Sequence, residues 1–146
     1  MEVMEITEAL DQIDSCIECD ACLDACQTYE VNQNEAFSPI GRLKNAKKVL
    51  QQEEITSEIV DGIYSCMDCK RCNLECPQEI DISGVIWRAK TELFKKGIGP
   101  AEGPNKVIEG IQKLGNAANG DPARRWDWLP EEFPRKESDT LFYVGC

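Results

Sequence analysis

Eight cysteines lie in two runs of identical spacing, and this repeat constrains the fold of the 146-residue chain more than any other feature. Both runs have the spacing C-x2-C-x2-C-x3-C. The first run consists of Cys16, Cys19, Cys22 and Cys26, and the second of Cys66, Cys69, Cys72 and Cys76. Because all three intervals agree, chance similarity is a poor explanation and the runs form an internal repeat. The chain is therefore expected to fold around whatever these cysteines bind.

The spacing within each run indicates a 4Fe-4S cluster. Three cysteines separated by two residues let one loop reach three iron corners, so the fourth ligand must come from elsewhere. In two-cluster proteins with this spacing, the last cysteine of each run ligates the other cluster. We therefore predict two 4Fe-4S clusters. The predicted ligands are Cys16, Cys19, Cys22 and Cys76 for cluster 1, and Cys66, Cys69, Cys72 and Cys26 for cluster 2.

Zinc is the main alternative to iron and sulfur. Eight thiolates can form two tetrahedral zinc sites, but zinc modules usually keep their cysteines in separated pairs instead of triplets. Disulfides are less expected still, because the cysteines number nine and no signal pattern precedes them. Pro77 follows Cys76 as in the bacterial iron-sulfur pattern, whereas Gln27 follows Cys26. The turn at Cys26 is therefore predicted to be less rigid, and its cluster more exposed or labile.

The charge balance excludes some classes of partner. The formal net charge is -11 and there is no histidine, so a basic face for nucleic acid is not expected. Lys70 and Arg71 lie in the second run, where they are expected to offset cluster charge and tune its potential. No apolar stretch approaches the roughly 18 residues of a membrane span. We expect a cytoplasmic protein of a reducing, often anaerobic, setting, attached to any membrane only through partner subunits.

Outside the cysteine runs, hydrophobic periodicity predicts a mostly α-helical chain. Helices are predicted at 3–14, 39–50, from about 56 into the second run, 81–96 and 104–114, before a turn-rich stretch at 116–134. The predicted domains are a two-cluster helical ferredoxin domain at 1–98, a helix and docking linker at 99–139, and a short strand at 140–146.

The chain resembles the iron-sulfur proteins related to the C and D subunits of heterodisulfide reductase, a family that includes the iron-sulfur subunits of glycerol-3-phosphate, glycolate and lactate dehydrogenases. The resemblance covers nearly the whole chain. It rests on the two cysteine runs, on the pair Cys76-Pro77 and on the helix start Phe37-Ser-Pro-Ile-Gly-Arg-Leu43. It implies an all-helical ferredoxin fold. It also implies that Leu141-Phe-Tyr-Val-Gly-Cys146 begins a Cys-Cys-Gly domain, and hence that the chain is part of a longer protein; otherwise Cys146 is a spare thiol.

The expected function is that of an electron-transfer subunit, relaying single electrons from a flavoprotein or hydrogenase-type donor to a Cys-Cys-Gly-domain acceptor with a terminal reductase site. No catalytic residue is proposed, because the chain has no histidine and no convincing catalytic constellation. One alternative is the N-terminal part of a fused reductase acting on a disulfide or quinone; a lesser one is a zinc-stabilised scaffold. Arg42 is expected to be an ion-pair or structural residue, with cluster tuning as the alternative.

Overall fold

A computed structural model describes residues 4–99, 102–133, 137, 139 and 140, with the backbone alone at 102 and 103. Its α-helices are α1 Ile6–Asp14, α2 Gln27–Asn32, α3 Pro39–Leu50, α4 Ser57–Tyr64, α5 Arg71–Leu74, α6 Ile82–Lys95 and α7 Glu102–Leu114. Short 3-10 helices span Glu35–Phe37 and Pro122–Arg124. The described residues contain no strand, so the prediction of a mostly helical chain is confirmed for them. Apart from Thr140, the strand predicted at 140–146 lies outside the described residues.

The chain divides into two compact units, Met1–Pro100 and Ala101–Cys146. The first unit contains both cysteine runs and α1 to α6. The second contains α7 and the 3-10 helix Pro122–Arg124. Across the described ranges, no helix combines the length and the apolar content needed to cross a membrane.

The core of the first unit lies between α3 and α6, with α1 and α4 packed against both of them. Its buried side chains are almost entirely aliphatic. They include Ala9, Ile13, Ile40, Leu43, Val49, Ile63, Ile82, Val85, Ile86, Ala89 and Leu93. Removing such side chains from water contributes about 25 cal/mol for each Å² of apolar surface buried. The cysteine loops connect helices that pack in this core. The core therefore fixes the positions at which each loop begins and ends.

Three α-helices of the first unit begin with side-chain caps. The Ser38 hydroxyl accepts a hydrogen bond from the Gly41 N–H (2.8 Å), with Pro39 in the first helical turn. Thr56 caps α4 in the same way, and the Asp81 carboxylate accepts from the Gly84 N–H (3.0 Å) at the start of α6. Each cap satisfies a backbone N–H that has no partner inside the helix.

Other helix boundaries differ from the predictions. The helix predicted from residue 3 begins at Ile6, and α7 begins at Glu102 instead of Pro104. A proline fits inside the first turn because the N–H groups there have no partner within the helix. The sequence predicted a largely helical segment between the runs without resolving α2, and it did not predict α5, which has only four residues.

The backbone repeats itself between the two halves of the first unit, with each residue of the first run matching one fifty positions later. Helices α1 and α4 are each followed by a serine as the C-cap residue, Ser15 and Ser65. The Ser15 hydroxyl donates to the Gln12 carbonyl (2.7 Å), and the Ser65 hydroxyl donates to the Gly62 carbonyl (2.9 Å). The next residue in each case is the first cysteine of a run. The two loops thus leave their helices in the same geometry.

Candidate metal centres

The eight cysteines are grouped around two cavities, each lined by three cysteines of one run and the last cysteine of the other. The first cavity is lined by Cys16, Cys19, Cys22 and Cys76. The second cavity is lined by Cys26, Cys66, Cys69 and Cys72. The structure thus brings together the same two groups of four that the repeat predicts.

Both loops have the same backbone conformation at matching positions. The residues on either side of the second cysteine have left-handed φ angles: 50° at Glu18 and 63° at Asp20, then 53° at Asp68 and 61° at Lys70. For residues other than glycine this conformation costs about 1–2 kcal/mol each. Strain of this kind persists where function or a ligand requires it.

The donor set and its spacing fit a 4Fe-4S cluster. Within the part of the chain that the structure describes, no three Cys, Asp or Glu side chains are placed to hold one metal ion. A single zinc ion would need its sulfur ligands about 2.3 Å away. The thiols instead surround a cavity, all eight are free of disulfides, and thiolates are the ligands that iron-sulfur clusters use.

Burial raises the pKa values of Cys22, Cys66 and Cys72. It raises the pKa of Cys22 to about 11. A backbone hydrogen bond lowers this pKa, whereas the neighbouring Cys16, Cys76 and Cys19 raise it further. Burial likewise raises the pKa of Cys72 to about 12, and nearby thiols raise it further. Desolvation disfavours a thiolate that has no counter-charge. These thiols would therefore lose their protons only on meeting a metal centre.

Cys26 has the opposite electrostatics. Burial alone would raise its pKa, but hydrogen bonds from the Thr28 hydroxyl and the Tyr29 N–H, together with Arg42, outweigh it and lower the pKa. The Cys26 sulfur lies 3.2 Å from the Thr28 hydroxyl and 3.5 Å from an Arg42 nitrogen. Cys26 is also the N-cap residue of α2, which Gln27 begins. These contacts fix the position of the Cys26 sulfur at the start of α2; a less rigid turn there and a more labile cluster remain a prediction.

Arg42 is buried in the wall of the second cavity, with 2% of its surface exposed. Its guanidinium donates to the Gly62 carbonyl (2.7 Å) and to the hydroxyls of Thr28 (2.8 Å) and Ser65 (2.9 Å), besides the Cys26 sulfur. None of these four acceptors is a carboxylate. Arg42 is therefore structural in part, as expected, but it also makes direct contact with a predicted cluster ligand.

Further contacts that the sequence did not indicate hold the second run in place. Lys90, in α6, donates to the Cys66 carbonyl (2.8 Å) and to Asp68 (2.8 Å). Asn73 donates to Asp81 (2.6 Å) and so joins the run to the start of α6. Periodicity marks such residues only as helical or polar, because their partners are distant in sequence.

Lys70 and Arg71, which were predicted to offset cluster charge, have exposed side chains. Their charges are therefore partly screened by solvent. The buried cations beside the second run are Arg42 and, to a lesser degree, Lys90, whose side chain is 14% exposed.

The comparisons with known proteins agree with this site. Residues 12–80 match the family described as the 4Fe-4S dicluster domain. The chain is 26% identical, over 94% of its length, to the D subunit of the dihydromethanophenazine:CoB–CoM heterodisulfide reductase of Methanosarcina mazei. It is 30% identical over 73% of its length to the glycolate oxidase iron-sulfur subunit of Escherichia coli. It is 25% identical over 59% of its length to the Hdr-like menaquinol oxidoreductase iron-sulfur subunit 2 of Archaeoglobus fulgidus.

The predicted resemblance to heterodisulfide reductase-like iron-sulfur subunits is thus confirmed. The chain matches 38%, 26% and 19%, respectively, of the length of these three relatives. No solved structure matches the chain at a significant level.

Proposed function

We propose that this chain, which is similar to iron-sulfur subunits of heterodisulfide reductase-like enzymes, holds two 4Fe-4S clusters and relays single electrons. The observation that carries the proposal is the grouping of the eight thiols around two cavities. Cys16, Cys19, Cys22 and Cys76 would hold one cluster, and Cys66, Cys69, Cys72 and Cys26 the other. Such clusters supply one-electron redox chemistry, and the protein sets their potentials through charge, hydrogen bonds and exposure.

The surface supports a relay with two points of access. Cys19 and Cys69, the second cysteines of the two runs, are both exposed. Ile17 and Met67, which occupy matching positions in the two loops, are 60% and 67% exposed. Each cavity thus reaches the surface beside an apolar side chain that a partner could cover. A relay requires this arrangement, because one partner must approach each end.

The relatives support a proposal about the partners. We propose that electrons come from a flavoprotein or hydrogenase-type donor and leave to a terminal reductase site in a Cys-Cys-Gly domain, whether that domain belongs to another subunit or not. The relatives include one subunit of a heterodisulfide reductase and an iron-sulfur subunit of a menaquinol oxidoreductase. A location in the cytoplasm, beside such a complex, is part of this proposal.

A reductive titration tests the relay. Protein reconstituted anaerobically with iron and sulfide is titrated with dithionite and then reoxidised, while the visible absorbance is followed. Two 4Fe-4S clusters predict the uptake of about two electrons per chain, with bleaching that reverses on reoxidation. Protein that binds metal without taking up electrons would contradict the relay and leave the zinc scaffold.

A further inference from the structure

The two cavities differ in the charge of the loops that line them. The first run carries no basic residue and three acidic ones, namely Glu18, Asp20 and Asp24. The second run carries two acidic residues, Asp68 and Glu75, and two basic residues, Lys70 and Arg71. The formal charges of the runs, leaving out the cysteines, are therefore -3 and 0. Added negative charge nearby makes a centre harder to reduce.

The helices α3 and α6 add to this difference. Toward the first cavity they present only aliphatic side chains, namely Ile40, Leu43 and Ile82. Toward the second cavity they present Arg42 and Ser83 besides Pro39 and Ile86. The guanidinium of Arg42 is always charged, and it lies where solvent screens it little. A full positive charge therefore lies in the wall of the second cavity.

The start of α6 resembles that of α3 but carries no equivalent of this charge. Helices α3 and α6 both begin with a capping residue that accepts a hydrogen bond from a glycine three residues later, Gly41 and Gly84. The residue after Gly41 is Arg42, and the residue after Gly84 is Val85, which is completely buried.

We propose that Arg42, together with Thr28, is a positioning residue that gives the second cavity's cluster the higher reduction potential, so that the second cavity takes the first electron. This inference rests on the proposed function. Arg42 and Thr28 both contact the Cys26 sulfur, at 3.5 and 3.2 Å. Hydrogen bonds to ligand sulfurs and nearby positive charge both stabilise the reduced, more negative form of a cluster. Arg42 supplies both effects at once.

Lys44 provides a matched control. Like Arg42 it is a cation on α3, but its amino group lies 3.0 Å from Glu18 and 3.1 Å from Glu35, and its side chain is 45% exposed. Solvent and these two carboxylates compensate its charge. Removing Lys44 therefore removes the same formal charge as removing Arg42, without removing a contact to a thiol.

The test is a redox titration of the reconstituted 146-residue chain, followed by electron paramagnetic resonance. The wild type should show two reduction potentials. Arg42→Met should lower the higher reduction potential by about 59 mV, which corresponds to about a tenfold change in the equilibrium constant for one-electron reduction. Thr28→Val should lower the same potential by less, Arg42→Lys should restore part of it, and Lys44→Met should move neither potential by more than about twofold. A Cys76→Ala background, expected to retain only the second cavity's cluster, identifies which potential belongs to it.

The outcomes separate this inference from the proposed function. Absence of iron and sulfide from the wild type, or of any reducible centre, would contradict the proposed function itself. If two centres are present and Arg42→Met lowers both potentials equally, or only the lower one, the role of Arg42 is wrong. If Arg42→Met binds no cluster, Thr28→Val decides, because an unchanged higher potential in that variant also overturns the inference.

Discussion

At the scale of single residues, the surroundings of each cysteine divide the thiols into different kinds. Cys22 and Cys72 are held neutral by burial, with pKa values of about 11 and 12. Cys26 has a lowered pKa because Thr28, Tyr29 and Arg42 outweigh its burial. The spacing alone makes Cys22 and Cys72 equivalent and sets Cys26 apart only as the last cysteine of its run. The differences arise from burial at Cys22 and Cys72 and, at Cys26, from its near neighbours Thr28 and Tyr29 together with Arg42, sixteen residues later in the chain. The cysteine spacing alone reveals neither the burial nor the contact with Arg42.

The raised pKa values predict that cluster retention depends on pH. Below these pKa values the thiols of Cys22 and Cys72 carry protons that cluster binding must displace, so the apparent affinity rises as the pH rises toward them. The iron retained against a fixed concentration of chelator should therefore be lower at pH 6 than at pH 8. Retention that does not change over this range would contradict the account.

The exchange of ligands between the runs can be tested with paired substitutions. Cys76→Ala should remove about half of the iron, and adding Cys16→Ala should remove little more, because both residues belong to one proposed cluster. Combining Cys76→Ala with Cys66→Ala should remove nearly all of it. Iron and sulfide analysis of the single and double variants distinguishes the cases. If the Cys76/Cys66 pair retains half of the iron, each run binds its own cluster.

At the scale of helices, α3 illustrates what the sequence could and could not predict. Ser38 and Pro39 are local signals, so the start of α3 was predicted correctly. The close packing behind it was not predictable. A β-carbon added to Gly41 would lie 1.8 Å from the Glu35 carbonyl oxygen, and one on Gly62 would lie 2.4 Å from the Ala36 carbonyl oxygen. Such contacts depend on the tertiary fold, whereas caps depend on neighbours in sequence.

The close contact between Gly41 and the Glu35 carbonyl predicts that even a small substitution at Gly41 causes a large loss of stability. Gly41→Ala forces α3 away from the 3-10 helix Glu35–Phe37 and should cost about 3 kcal/mol, the upper range for overpacking. Gly99→Ala is the control, because a β-carbon there meets nothing within 4 Å. Thermal unfolding followed by circular dichroism should show a lower midpoint for Gly41→Ala alone. Equal midpoints for the two variants would contradict this packing.

At the scale of the whole molecule, the proposed relay lies within one unit. All eight cysteines of the runs and the core between α3 and α6 belong to Met1–Pro100. The match to the 4Fe-4S dicluster domain ends at residue 80, yet Ile82, Ser83 and Ile86 of α6 line the two cavities. The helix beyond the matched region therefore belongs to the site.

This division predicts how fragments behave. Residues 1–100 should fold alone and bind as much iron per chain as the full chain, because the fragment contains the complete core. Residues 1–80 should bind much less, since without α6 the buried faces of α1, α3 and α4 lose their packing partner. Reconstitution followed by iron analysis and the visible spectrum tests both fragments. Full loading of residues 1–80 would show that α6 is not needed for the site.

The most direct test of the central claim is an anaerobic analysis of iron, zinc and sulfide in the purified 146-residue chain. Two 4Fe-4S clusters predict about eight iron and eight sulfide per chain, with a broad visible absorbance that dithionite bleaches. About two zinc per chain and no sulfide would contradict the electron relay and leave a zinc-stabilised scaffold in its place.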